Sequence, residues 1–188
     1  MSDCINEALS LYGLANAKAT LLRHNENRTY RIDFEGSSFC LRLKNPVFGF
    51  DLSVLNGDQG MLLRGELGLI GALGEQTDIP VQKPIKTLSG DVVARLADGT
   101  LASLLSWMKG FPLNEGKRTE QMLISAGQTL AALRSAVEAT PSLAAYPRFP
   151  YDQELVERLA VKAEQSTEYL PTEAIRSIIR ALNTVSRI

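Results

Sequence analysis

Thr29-Tyr30-Arg31-Ile32-Asp33-Phe34-Glu35-Gly36-Ser37-Ser38-Phe39-Cys40-Leu41-Arg42-Leu43 decides the fold. Tyr30, Ile32 and Phe34 alternate with Arg31 and Asp33, the mark of a half-buried strand. Glu35-Gly36-Ser37-Ser38 supplies a tight turn, and Phe39, Leu41 and Leu43 then return one apolar face to the core. The stretch reads as a β-hairpin. Arg42 and Lys44 share parity on its second strand, so both side chains point to the same face.

Outward from this hairpin, residues 3–12 carry Ile5, Ala8, Leu9 and Tyr12 on one face of a short amphipathic helix. Residues 19–23 form a further strand candidate, and residues 48–55 are ambiguous between helix and strand. Residues 59–74 read as a helix, with Leu62, Leu63, Glu66, Leu69, Ile70 and Leu73 at three- and four-residue spacing. Gly65, Gly68 and Gly71 inside it each cost about 1 kcal/mol of helix propensity, so they mark close packing. After Pro80 and Pro84 come strand candidates at 86–88 and 92–96, expected to pair through Ser89-Gly90-Asp91, and a last strand at 101–107. One helix set among antiparallel strands makes an α+β layer and excludes a doubly wound sheet.

Beyond Gly110 and Pro112 the pattern turns helical. Met122, Leu123, Ala126, Leu130, Leu133 and Val137 make one stripe along residues 119–138, and two further helices are expected at 152–164 and 172–187. In the last, Ile175, Ile178, Ile179, Leu182 and Val185 form an apolar face with no evident cover. That face points either to a chain cut inside a larger domain or to self-association, unless the helix docks on its own core.

Composition narrows the function. The 188 residues are 45% apolar and 22% charged, with 20 basic against 21 acidic side chains and a net charge of −1. Such a balance lacks the basic surplus that bulk nucleic-acid binding needs, though it leaves room for a local anion site. No apolar run approaches the ~20 residues of a membrane-spanning helix, and residues 1–19 do not read as a signal peptide, so a cytoplasmic protein is expected. Cys4 and Cys40 make neither a disulfide framework nor a zinc site. The single histidine, His24, rules out any mechanism needing two.

Several segments resemble the aminoglycoside phosphotransferase and choline kinase-like enzymes. Asn25-Glu26-Asn27-Arg28-Thr29-Tyr30-Arg31-Ile32 with Phe39-Cys40-Leu41-Arg42-Leu43 is similar to the opening of their N-terminal lobe. Glu66 sits where their lobe helix carries its glutamate, and Ile79-Pro80-Val81-Gln82-Lys83-Pro84-Ile85 resembles their proline-rich connection. Leu104-Leu105-Ser106-Trp107-Met108-Lys109-Gly110 looks like their hinge. Ala126-Gly127-Gln128-Thr129-Leu130-Ala131-Ala132-Leu133-Arg134 is similar to the helix after it, with Arg134 replacing the usual histidine.

The resemblance implies a kinase-like N-lobe over residues 1–108 and the start of a helical C-lobe over 109–188, with the rest of that lobe absent from this chain. It implies ATP as cofactor and a small-molecule hydroxyl as acceptor. Arg42 on an inner strand would hold the phosphates and Glu66 would hold Arg42, with Lys44 as the fallback cation. The turn at 24–28 has no glycine, so backbone amides and the polar residues Asn25, Glu26 and Asn27 would cover the phosphates. Backbone groups at Ser106 and Met108 would meet the adenine edge, with Trp107 left to packing. Read singly, Arg42 is equally an exposed strand residue, Glu66 a solvated helix position and 24–28 an ordinary polar turn.

The family's catalytic loop, His-x-Asp with Asn five residues after the Asp, has no counterpart here, because His24 precedes every candidate. Asp51 and Asn56 have the spacing without the histidine, and Asp152 is followed only by the distant Asn183. No catalytic residue and no metal ligand is therefore assigned. Magnesium is expected only in a longer chain, and phosphoryl transfer by these residues alone is not expected. Two other readings stay open: a non-catalytic nucleotide- or partner-binding module of the same fold, and an unrelated α+β interaction domain.

Overall fold

The computed structural model describes residues 2–24, 27–44, 58–110, 119–147, 149–150 and 152–185. Asn25, Glu26 and the ambiguous stretch 48–55 lie outside the described residues. The elements run α1 (Ser2–Leu11), β1 (Lys18–His24), β2 (Arg28–Phe34), β3 (Ser37–Lys44), α2 (Gln59–Gln76), β4 (Pro84–Ile85), β5 (Val93–Arg95), β6 (Leu101–Ser106), α3 (Glu120–Ala139), α4 (Gln153–Gln165) and α5 (Thr172–Val185). All described strand pairings are antiparallel, so the α+β reading holds.

The hairpin forms as its alternation requires, with Thr29 opposite Arg42 and Ile32 opposite Phe39. Its turn is tighter than expected. Glu35 and Gly36 alone make the corner, both at positive φ (47° and 79°), which matches the right-handed twist of the flanking strands. Ser37 and Ser38 already belong to β3.

The sheet runs β1-β2-β3-β6-β4, with β5 also paired to β6. The strand expected at 86–88 does not form. Pro84–Ile85 pairs with Leu105 and Leu104, and Val93–Arg95 pairs with Ser103 to Leu101, so both short strands lie along the same edge of β6. The turn at 87–91 does exist, closed by the Thr87 amide donating to the Asp91 carbonyl at 2.7 Å, but it joins two partners of β6 and not partners of one another.

Strand parity builds two cores. Tyr30, Ile32, Leu41, Leu43, Ala102 and Leu104 face α1, where Ala8, Leu9 and Tyr12 are buried against them. The opposite parity places Cys40, Leu101 and Leu105 against Leu63 and Leu67 of α2. The sheet is thus covered by one helix on each side, one more than the single packed helix expected. β6, shared by both cores, is buried from Leu101 to Leu105, which is why it reads as a nearly continuous apolar run.

The glycines of α2 mark close packing, as their spacing implies. A Cβ on Gly65 would lie 1.7 Å from the Pro147 carbonyl oxygen, and one on Gly68 would lie 2.6 Å from the Tyr146 ring. The chain reaches that position through α3 and a short 3-10 turn, Pro141–Ala145, whose Leu143 is buried with Ala72 and Leu73 of α2. The described residues accordingly divide into two compact units, one holding α1 to the 3-10 turn and the other holding α4 and α5. The first unit includes α3.

Two helices carry apolar faces that are covered only in part. In the second unit α4 packs on α5, starting from the Asp152 cap, whose Oδ1 accepts from the Leu155 amide at 3.0 Å. Ile175 is buried there with Leu155 and Ala163 of α4, while Ile179 and Leu182 are half-buried and Ile178 is 39% exposed, so the α5 face is covered only in part. On α3 no residue is fully buried: Leu133 and Val137 pack against Ala72, Leu73 and Leu143, whereas Leu123 and Leu130 are 59% and 67% exposed.

Two stability measurements follow from this packing. Gly65→Ala meets a backbone carbonyl and is expected to lower the melting temperature, at a cost of about 1–3 kcal/mol. Gly127→Ala on exposed α3 meets nothing within 4 Å and should stabilise that helix by up to about 1 kcal/mol, read by hydrogen exchange. Equal effects at the two sites would contradict the packing.

Tyr12 provides a pH test. Its Oη lies 3.0 Å from the carbonyl oxygens of Val92 and Ala102, and burial pushes its pKa up to about 12. The folded state then holds this proton more tightly than the unfolded chain, whose tyrosines titrate near 10. The stabilisation is complete below about pH 10 and falls by about 3 kcal/mol as pH rises to about 12. Denaturation across that range should show this loss in the wild type, and Tyr12→Phe should remove its slope.

Candidate functional site

The site forms where α2 crosses the face of β3 that carries the even-numbered residues. Arg42 stands opposite Ser103 in the β3–β6 register, which puts a guanidinium and a buried serine on one patch of sheet. The turn of α2 above them carries Glu66. Arg42 donates from a guanidinium nitrogen to Glu66 Oε1 at 2.9 Å, so the two residues singled out by sequence meet. Their side chains are 33% and 47% exposed, a pair at the mouth of a pocket and not one sealed in a core.

A second polar contact lies beside the first. Lys44 Nζ donates to Gln59 Oε1, in the first turn of α2, at 2.8 Å. A third contact ties the outer side of the same helix: Arg64 grips Asp91 with both Nε and a terminal nitrogen, the shortest contact being 2.7 Å. Those bonds hold the Asp91 carboxyl below its usual range. Together with the glycine contacts on Pro147 and Tyr146, these ties fix the helix that presents Glu66.

Between them is a small pocket of about 40 Å³, lined by Asn27, Arg42, Lys44, Leu63, Glu66 and Ser103. That is the space of a few water molecules, enough for one anionic group and too little for a nucleotide. Its polar lining is two cations, one carboxylate, a hydroxyl and an amide. This donor set complements an oxyanion and does not suit a divalent metal. Asn27 Oδ1 is buried without a hydrogen-bond partner, a state that costs about 1–3 kcal/mol unless a ligand relieves it. Turning that amide about χ2 would present its NH₂ to a phosphoryl oxygen instead. Among the described residues, no group of three His, Cys, Asp or Glu side chains stands close enough to hold a metal ion.

The hinge residues are placed differently from one another. Ser106 turns its backbone toward the proline-rich connection: its N–H donates to the Lys83 carbonyl at 2.8 Å, and its carbonyl accepts from Gln82 Nε2 at 3.0 Å. Its N–H is thereby taken, leaving one carbonyl lone pair. Met108, past the strand end, is exposed. Trp107 packs beside the Cys40–Leu105 core with the Arg31 guanidinium 5.1 Å from its ring centre, a packing role. Ser103 and Gln59 were not singled out by sequence, because only the β3–β6 register and the crossing of α2 bring them to Arg42 and Lys44.

The arrangement of this antiparallel sheet and its helices has counterparts among solved structures. The fold is kinase-like. A microcompartment-associated aminopropanol kinase superposes with a TM-score of 0.64 at 19% identity, over 88% of this chain and 55% of that one. A spectinomycin phosphotransferase, solved with ADP and spectinomycin, gives 0.52 at 15% identity over 90% of this chain and 48% of its own. An aminoglycoside phosphotransferase-like protein from Ralstonia eutropha gives 0.55 at 12% identity, over 96% and 52%. The chain therefore spans about half the length of these neighbours. No family model matches the sequence, and no curated protein does. No described helix is long and apolar enough to cross a membrane.

The partial exposure of the pair sets its energetic weight. A double-mutant cycle on Arg42→Ala and Glu66→Ala, read by urea denaturation, should return a coupling energy of about 1 kcal/mol or less. A coupling of several kcal/mol would make the pair a structural tie and not a site.

Proposed function

We propose that this chain forms the nucleotide-gripping part of an ATP-dependent phosphotransferase acting on a hydroxyl of a small molecule. The observation that carries this reading is the Arg42–Glu66 pair in the wall of an anion-sized pocket on a kinase-like sheet. When bound, ATP supplies the phosphoryl group, and the protein's task is to position the triphosphate and offset its charge. Arg42 presents a planar fork of N–H donors to phosphoryl oxygens, and Glu66 fixes the plane of that fork. The buried Asn27 amide gains a partner from the same ligand. On this reading Asn25 and Glu26 also serve the phosphates, while backbone groups of Met108 and the remaining Ser106 lone pair meet the adenine edge. The spectinomycin phosphotransferase solved with ADP supports nucleotide binding by a chain of this fold.

Acid–base and metal chemistry are not assigned to this chain. The only histidine is His24, at the end of β1, and no His-x-Asp segment follows it. The base that accepts the acceptor's hydroxyl proton, and the carboxylates for magnesium, would come from residues outside these 188. The small-molecule acceptor site would come with them. That same observation favours a second reading, a nucleotide-binding module that catalyses nothing. The partly exposed α5 face, with Ile178 39% exposed, supports self-association.

Melting in the presence of ATP tests the proposal. At a hundredfold excess over the dissociation constant, ATP should stabilise the chain by about 2.7 kcal/mol, and Arg42→Ala should lose that gain. Release of ADP by the isolated chain in Mg-ATP should stay at the uncatalysed background. A melting temperature indifferent to millimolar ATP, or an equal gain in Arg42→Ala, would contradict the nucleotide reading; measurable turnover would contradict the assignment of no catalytic residue.

A further inference from the structure

The second unit carries two charged stripes of opposite sign. On α5, Arg176, Ile179, Arg180, Asn183 and Thr184 recur at helical spacing and line an open groove of about 470 Å³. On the other helices an arginine meets a carboxylate one turn away, Arg134 with Glu138 and Arg158 with Glu154. Arg176 and Arg180 have only each other at that spacing, and among the described residues neither enters an ion pair. Neither lies in the last turn of α5, where the helix dipole would favour a cation. Like charges four residues apart cost a helix about 0.2–0.5 kcal/mol. The groove therefore holds two unanswered guanidiniums on either side of Ile179. On α4, the face turned away from the buried Leu155 and Ala163 shows Glu157, Val161 and Glu164, all exposed. Glu157 accepts from the neutral Gln153 amide at 3.3 Å, and neither carboxylate enters an ion pair with a described residue.

We propose that these stripes are the two halves of one interface, in which α4 of a second copy of this chain docks on the α5 groove. Charge and pattern together name the occupant. A carboxylate, an apolar side chain and a carboxylate on α4 match a guanidinium, an apolar side chain and a guanidinium on α5, with Val161 set against Ile179. Arginine forks suit carboxylates, and the α5 arginines have no other anion to meet. Along the helices the two glutamates stand about 10.5 Å apart and the two arginines about 6 Å, so the long arginine stems diverge to reach both. Each copy carries both stripes, so a two-fold axis makes the contact twice and closes the dimer. The net charge of −1 sets little overall repulsion against a second copy. This gives the self-association read from the α5 face a definite pair of surfaces, and it does not depend on the nucleotide reading.

Sedimentation equilibrium of the 188-residue chain, from about 10 to about 500 µM, tests this. The wild type should show a monomer–dimer equilibrium that weakens about tenfold or more between low and high salt. Arg176→Glu with Arg180→Glu should remain monomeric, and so should Glu157→Arg with Glu164→Arg. An equimolar mixture of these two double variants should form a heterodimer, because each then offers both stripes in reversed sign to the other. Arg176→Gln with Arg180→Gln, which removes the charge and keeps helix-forming residues, should weaken the wild-type dimer about tenfold or more, with an unchanged circular dichroism melt as the check on folding. A wild type that stays monomeric at every concentration would overturn the proposal. So would a dimer that the charge reversals leave intact, or reversed variants that melt as the wild type does and fail to pair when mixed.

Discussion

Arg42 and Glu66 meet across the gap between sheet and helix, and the site depends on that gap having one width. An arginine on an inner strand is tolerable only if its charge is answered, and the answering carboxylate must come from whatever covers that face. Here α2 covers it. Leu63 and Leu67 close the core below, and Glu66 reaches Arg42 where the interface opens to water. The hydrophobic contacts set the helix against the sheet, and the ion pair then sets the direction of the guanidinium. Neither contact alone would leave an oriented cation beside a space for an anion.

The position of α2 is over-determined. Its first turn is tied to β3 through Gln59 and Lys44, its outer face to the turn before β5 through Arg64 and Asp91, and its back to residues 146 and 147 through Gly65 and Gly68. A helix with three glycines in its middle has little intrinsic stability and takes its form from its neighbours. That dependence links the helical segment α3, which delivers Leu143, Tyr146 and Pro147, to the geometry of the pocket. Packing on one side of α2 thus controls chemistry presented on the other.

Much of this was legible in the sequence, for identifiable reasons. The β2–β3 hairpin declares itself because one of its faces is buried and the other is not, so Tyr30, Ile32 and Phe34 alternate cleanly with polar residues. The helix starts at Thr119 and Asp152 are legible because a side-chain cap is a local interaction. Pairing partners were not. β4 has two residues and no period, and nothing local shows that β4 and β5 both belong to β6. The stripe on α3 marks a helix correctly yet says nothing of what covers it. The roles given to Arg42 and Glu66 came from resemblance; their meeting is a tertiary fact, as are the places of Ser103 and Gln59, which only strand register and helix crossing reveal.

The fold and the chemistry it proposes are joined at a single locus, so the most direct measurement is one that reports where a nucleotide lands. In a two-dimensional amide NMR titration with ATP, the account predicts that the largest shifts fall on residues 27, 42 to 44, 63 to 66, 103 and 106 to 108. The Arg42 side-chain resonance should move with them, and α4 and α5 should remain still. Shifts centred on α4, α5 or the exposed face of α3, with the β3–α2 pocket unmoved, would contradict it.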